Sequence, residues 1–201
     1  AGADIIADAS IGKHALETVK LLCEQLEVPV TALPGYIICT GNGGHELPSD
    51  ITKEEILENI EAVLKLGVSG ITVHAAFRKK HLNMLENSER SFPFTSRMGN
   101  YIRKYMIKTG NENPFYLYFS DIVKLAKKYD ANVSIGIALR SPSISNNGGL
   151  DDIFKVEIAD SRELIAECIK QNVTVSIENG GHNKKKKTRV EMNKQRGSLF
   201  S

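Results

Sequence analysis

The feature that most constrains this chain is a short apolar run of strand type that stops on chemistry-bearing residues. Its fullest instance is Val173-Thr-Val-Ser-Ile-Glu-Asn-Gly-Gly-His182, and Gly70-Ile-Thr-Val-His74 repeats it. In parallel α/β folds such strand ends form the rim where ligands and catalytic groups collect, because the strand holds the backbone while the following loop is free to vary. Glu178 and His182 are therefore pocket candidates, with His74 closing another strand in the same way. Gly180 and Gly181 would let the main chain turn sharply or approach a ligand closely. The competing reading is an ordinary strand-to-helix turn with a solvated histidine.

Taken in order, Ile5-Ile6-Ala7 reads as a buried strand and Asp8-Ala-Ser-Ile-Gly12 as the loop at its end. Asp8 and Ser10 either face a pocket or cap the next helix. Leu16, Val19, Leu22, Cys23 and Leu26 recur at helical spacing, which predicts a helix from His14 to Leu26. Val28 to Thr31 and Gly35 to Cys39 read as extended, with Pro34 at a strand end or edge. Gly41-Asn-Gly-Gly-His45 lacks the Gly-Lys-Ser/Thr ending of a phosphate loop and reads as a flexible loop. Thr52-Lys-Glu-Glu55 has capping-box spacing ahead of the apolar face Ile56, Leu57, Ile60, Val63 and Leu64, and Gly67 is placed to end that helix.

Residues 79–118 show the least regular pattern, although Ser96 and Arg97 within them suit a phosphate or carboxylate. Phe115 to Tyr129 reads as one helix, Asn132 to Ile137 as a strand with Arg140 beyond it, and Ser161 as the cap of a helix leading to Val173. The total is about five strands of parallel type with helices between several of them, an α/β fold.

The chain has 201 residues, enough for one domain with a sizeable core but short of the roughly 250 of a closed eight-stranded α/β barrel. No apolar run approaches the roughly 18 residues of a membrane span, and no basic n-region of a signal peptide precedes the first strand. The chain starts without Met and almost directly in a strand, as a piece of a longer protein would. Its net charge of +2 divides into +6 for residues 183–201, from five Lys and two Arg against Glu191, and therefore −4 for residues 1–182. A mildly acidic body argues against nucleic-acid binding, and the basic tail reads as disordered. Cys23, Cys39 and Cys168 are odd in number and far apart, so they form neither a disulfide framework nor a metal motif, and a reducing cytoplasm is expected.

Four ordered motifs resemble the phosphomethylpyrimidine synthase family, the radical enzymes that make the pyrimidine half of thiamine. Gly2-Ala-Asp-Ile-Ile-Ala-Asp-Ala-Ser-Ile-Gly12 resembles its Gly-Ala-Asp…Asp-Leu-Ser-Thr-Gly segment, and Thr72-Val-His-Ala75 its Thr-Ile-His-Ala. Thr95-Ser-Arg-Met-Gly99 is similar to Ser-Arg-Gly-Gly, and Glu178-Asn-Gly-Gly-His182 to Glu-Gly-Pro-Gly-His. The resemblance implies a partial (β/α) TIM-type barrel over residues 1–182, lacking the last strands and the C-terminal cluster segment. It implies a lyase that rearranges aminoimidazole ribotide to hydroxymethylpyrimidine phosphate with a radical made from S-adenosylmethionine at a [4Fe-4S] cluster. Carried over, Tyr36, His74, Ser96, Arg97, Met98, Arg140 and Glu178 stand where the family contacts the ribotide, and His182 where it binds zinc or another divalent metal.

The departures are equally informative. The family's Asp-Gly-Leu-Arg is Ile137-Ala-Leu-Arg140 here, and its Met before Asp-Leu-Ser is Ala7. The second metal-ligand His and the Cys-x-x-Cys-x-x-x-x-Cys cluster motif have no counterpart, so the isolated chain is expected to lack radical chemistry. A slip at a poly-adenine tract after His182 would account for the Lys run and the change of pattern. Two further readings are an enzyme making 5-hydroxybenzimidazole from the same ribotide and a non-catalytic remnant that binds it. An open parallel-sheet edge would favour homo-oligomers.

Overall fold

The computed structural model describes residues 2–40, 46–90, 92–141 and 151–178. The Gly41–His45 loop, His182 and the basic tail lie outside them. Among the described residues there are five strands: β1 (Ile6–Asp8), β2 (Val30–Ala32), β3 (Gly70–Val73), β4 (Asn132–Ile135) and β5 (Val175–Ile177). They form one all-parallel sheet in the order β1-β2-β3-β4-β5, each new strand joining beside the last. Parallel neighbours need a crossover, and the helices supply it. These are α1 (Ala15–Gln25), α2 (Pro34–Thr40), α3 (Lys53–Leu64), α4 (Lys80–Glu86), α5 (Arg97–Thr109), α6 (Pro114–Leu117), α7 (Phe119–Lys128) and α8 (Asp152–Lys170).

Burial follows strand position. Every residue of the central β3 is buried, β4 is buried at alternate positions, and β5, at the sheet edge, has no buried residue. The helices α3, α7 and α8, from three successive crossovers, pack side by side, α3 on α7 and α7 on α8. Ile56 and Ile60 of α3, Ile122 and Val123 of α7, and Ile158 and Leu164 of α8 join Ile71, Val73, Val133 and Ile135 of the sheet in one apolar core. Burying each such side chain contributes about 1.5–3 kcal/mol, so this layer holds the sheet.

Several local signals are realised as read. Thr52 and Glu55 form a reciprocal capping box, Thr52 N–H donating to Glu55 Oε2 at 2.8 Å and Glu55 N–H to Thr52 Oγ1 at 3.2 Å. Gly67 closes the turn after α3 at φ +86°, where a side chain would be strained.

Four expectations are corrected. Gly35 to Cys39 are helical, not extended: Pro34 opens α2, where its missing N–H is no loss, and the β-branched Ile37-Ile38 pair is overruled because the helix buries Ile38 and Cys39. Residues 79–118 contain α4 and α5, whose stripe Met98, Tyr101, Ile102, Tyr105 and Met106 is buried at helical spacing. Phe115 to Tyr129 is broken at Tyr118 (φ −106°, ψ 16°) into α6 and α7. Ser161 lies inside α8 and donates back to Glu157 O at 3.0 Å, while the cap is Asp151, which accepts from Phe154 N–H. The apolar spacing Phe154, Ile158, Leu164 and Cys168 carries the helix through Ser161.

Asn113 ties the loop after β3 to α6. It is fully buried, its Nδ2 donates to His74 O and Phe77 O at 2.8 Å each, and its Oδ1 accepts from Phe115 N–H at 3.0 Å. Asn113→Ala leaves two carbonyls and one amide without partners in the interior and should lower stability by about 2–4 kcal/mol, read from the urea unfolding midpoint.

Candidate functional site at the C-terminal rim of the sheet

Strand register builds the site. Val73 pairs with Ile135 and Ile135 with Ile177, so the next residues, His74, Gly136 and Glu178, stand side by side at one level of the rim. Neighbouring strands lie about 4.8 Å apart, which separates the His74 and Glu178 backbones by about twice that. Their side chains meet because the middle position is a glycine. The His74 ring lies over Gly136, where an added Cβ would sit 2.6 Å from ring atoms, and His74 Nε2 comes within 4.0 Å of Glu178 Oε2. The Glu178 backbone N–H donates to Ile135 O at 3.0 Å, and its carboxylate accepts from Ile137 N–H.

Other candidates converge on this row. Arg140, just beyond β4, acts electrostatically on His74, Glu178 and Tyr36. Tyr36, on α2, stacks edge-on against Tyr101 at 6.5 Å between ring centroids and accepts from Met98 N–H. Arg97 is the exposed first residue of α5 and lies within electrostatic reach of Tyr36. Ser96 and Met98 are turned to structural tasks: Ser96 Oγ caps α5 by accepting from Gly99 N–H at 3.0 Å, and the buried Met98 thioether packs against Gly35. Leu33, Thr72, His74, Met98 and Phe115 line a small pocket of about 10 Å³, room for at most about one water.

Asp8, at the end of β1, has its carboxylate taken by Ser10, whose Oγ and N–H donate to it at 2.6 and 3.1 Å. Neither residue caps α1, whose N-cap is His14. Ile137 is fully buried in the apolar core.

Burial sets the charges. It pushes the His74 imidazole down to about 3, with Arg140 adding to the effect, so the ring is neutral at physiological pH. Burial raises the Glu178 carboxyl above its usual range, opposed by Arg140 and by the Ile137 amide. A neutral ring, a half-buried carboxylate, a phenol and two guanidiniums can bind a ligand bearing both an anionic group and amine or hydroxyl groups.

Among the described residues no group of three or more His, Cys, Asp or Glu could hold a metal ion. The cysteines do not fit a cluster: Cys39 and Cys168 are buried with thiols pushed up to about 12, and burial also raises the half-buried Cys23. Iron–sulfur ligation requires thiolates, the form these sites disfavour.

Sequence reasoning missed Gly136, over which the His74 ring lies, and Asn113, which holds the His74 carbonyl. Only Asn113, directly before Pro114, carried a local signal, that of a helix cap.

Two outcomes are expected. The folded-state value of His74 lies below its unfolded value, so its contribution to stability is complete above pH 6.5 and lost as pH falls toward about 3, at up to about 1.4 kcal/mol per pH unit. Its ring resonances should therefore hold their neutral positions from pH 8 to pH 5 in an NMR titration. Gly136→Ala should displace the His74 ring and cost about 1–3 kcal/mol, visible as a lowered Tm together with shifted His74 resonances.

The sequence profile of the Radical SAM ThiC family matches residues 1–199. The phosphomethylpyrimidine synthase of Haloarcula marismortui is 33% identical over 181 residues, covering 90% of this chain and 36% of that protein. That of Thermus thermophilus is 30% identical over 181 residues (90% and 41%), and phosphomethylpyrimidine synthase 1 of Saccharolobus solfataricus 30% over 185 residues (89% and 41%). The chain thus spans 36% to 41% of the length of these relatives. Dihydropteroate synthase of Yersinia pestis aligns over all of this chain and 84% of its own at 12% identity, with a TM-score of 0.25, a superposition too loose to bear on the fold. With nearly its whole length matched by one profile, the chain belongs to the Radical SAM ThiC family.

Proposed function

We propose that these residues form the ligand-binding rim of a phosphomethylpyrimidine synthase-like enzyme of thiamine biosynthesis, acting on aminoimidazole ribotide. The observation that carries the reading is the His74–Glu178 approach over Gly136 with Arg140 beside both. In this reading Arg97 and Arg140 take the ribotide phosphate, for which guanidinium geometry is suited. Glu178 accepts from the ligand's amine or hydroxyl groups, neutral His74 offers one acceptor or donor nitrogen, and Tyr36 closes the side of the pocket. Met98 and Ser96 contribute by shaping the start of α5.

The sequential all-parallel strand order supports a partial (β/α) barrel. Doubly wound sheets reverse their strand order, whereas barrels add each strand beside the last. The packing of α3, α7 and α8 in one row agrees with that.

In this reading a radical would be supplied by S-adenosylmethionine bound at a [4Fe-4S] cluster. Cys23, Cys39 and Cys168, the three cysteines of the sequence, do not suit that cluster. His182 is the candidate ligand for a divalent metal such as zinc. The described residues bind and orient the ribotide and make no radical themselves, which favours binding without turnover by this chain alone.

Isothermal titration of the 201-residue chain with aminoimidazole ribotide should show saturable binding, weakened about tenfold or more by Arg140→Ala or Glu178→Ala. Incubation with S-adenosylmethionine and reductant should give no pyrimidine product. Absence of binding by the folded wild-type chain would sink the reading.

A further inference from the structure

The rim residue Arg140 has no strand beneath it: β4 ends at Ile135, five residues earlier. Something else must hold its backbone. Two buried polar groups do so, one at an amide pair and one at a carbonyl. Glu157, fully buried on α8, accepts from Ala138 N–H at 2.8 Å through Oε1 and from Leu139 N–H at 2.6 Å through Oε2. Arg90, with a side chain 3% exposed, donates from Nη2 to Leu139 O at 2.9 Å and from Nη1 to Pro93 O at 2.5 Å. Its Nε and Nη2 also grip both oxygens of Asp151, the cap of α8.

Leu139 is thus held at its N–H by the Glu157 carboxyl group and at its C=O by a guanidinium, immediately before Arg140. Burying a carboxylate in mid-helix is costly, and burial pushes Glu157 up to about 8, against two amide donors and the charges of Arg90 and Arg140. A loop that needed only to be covered would be served by apolar side chains.

We infer that Glu157 and Arg90 are positioning residues that set the direction in which Arg140 is presented to the ligand at the rim. Neither reaches the rim row through any hydrogen bond of its own. Both act through the Ala138–Leu139 backbone, and α8 links them because it carries Glu157 and begins at the Asp151 that Arg90 grips. The inference deepens the proposed function and rests on it for the ligand.

The test is a double-mutant cycle on the 201-residue chain, with aminoimidazole ribotide as probe and Tm recorded for each variant. Glu157→Gln keeps the shape but turns an amide group toward one of the two N–H donors. Arg90→Lys keeps the charge but cannot reach Asp151, Leu139 O and Pro93 O together. Each should weaken ribotide binding about tenfold in the wild-type background and less than about twofold in the Arg140→Ala background. Equal weakening in both backgrounds, or none in the wild-type background, overturns the inference, and Arg90→Lys alone decides it if Glu157→Gln does not fold. Should the wild-type chain not bind ribotide, the functional reading fails separately. The positioning pair is then judged by the Arg140 Nε–H resonance, which must move in a folded variant, and an unmoved resonance overturns it.

Discussion

Everything at the rim depends on the alignment of three parallel strands and the absence of one side chain. Because Val73, Ile135 and Ile177 are in register, the three residues that follow them form a row. With glycine in the middle of that row, an imidazole from one strand spans the gap to a carboxylate two strands away. Any other residue at Gly136 would fill the space the ring occupies. The constraint is steric first and electrostatic second, since burial beneath the rim then keeps the ring neutral.

The loops around the row are held by buried polar groups rather than by apolar packing alone. Asn113 collects the carbonyls of His74 and Phe77, and Glu157 and Arg90 collect the amides and carbonyl before Arg140. Such groups are costly unless every partner is in place, so they specify one loop geometry where hydrophobic contacts would tolerate several. In a site whose side chains come from α2, α5 and the ends of β3 and β5, that precision keeps the groups in one arrangement.

Much of this architecture was visible in residue order. The apolar runs at Ile6, Val30, Ile71, Val133 and Val175 became the five strands, and the Thr52 capping box and Gly67 bounded α3 as their side chains dictate. What misled was local propensity where tertiary contacts decide. Ile37-Ile38 favours a strand in isolation yet is helical because α2 must bury Ile38 and Cys39. Ser161 has the chemistry of a cap yet sits in mid-helix, since the apolar stripe of α8 runs past it.

Residue order alone determined that apolar runs lead into His74 and Glu178, that Arg140 stands just beyond a third such run, and that the motifs resemble one family. Periodicity and motif spacing are properties of neighbours along the chain, and they survive without coordinates. Which strand pairs with which, and therefore that Gly136 separates His74 from Glu178, was decided only by tertiary structure. So were the buried partners of the loops: Arg90 and Leu139 are 49 residues apart in sequence, and no local pattern encodes a hydrogen bond across that distance.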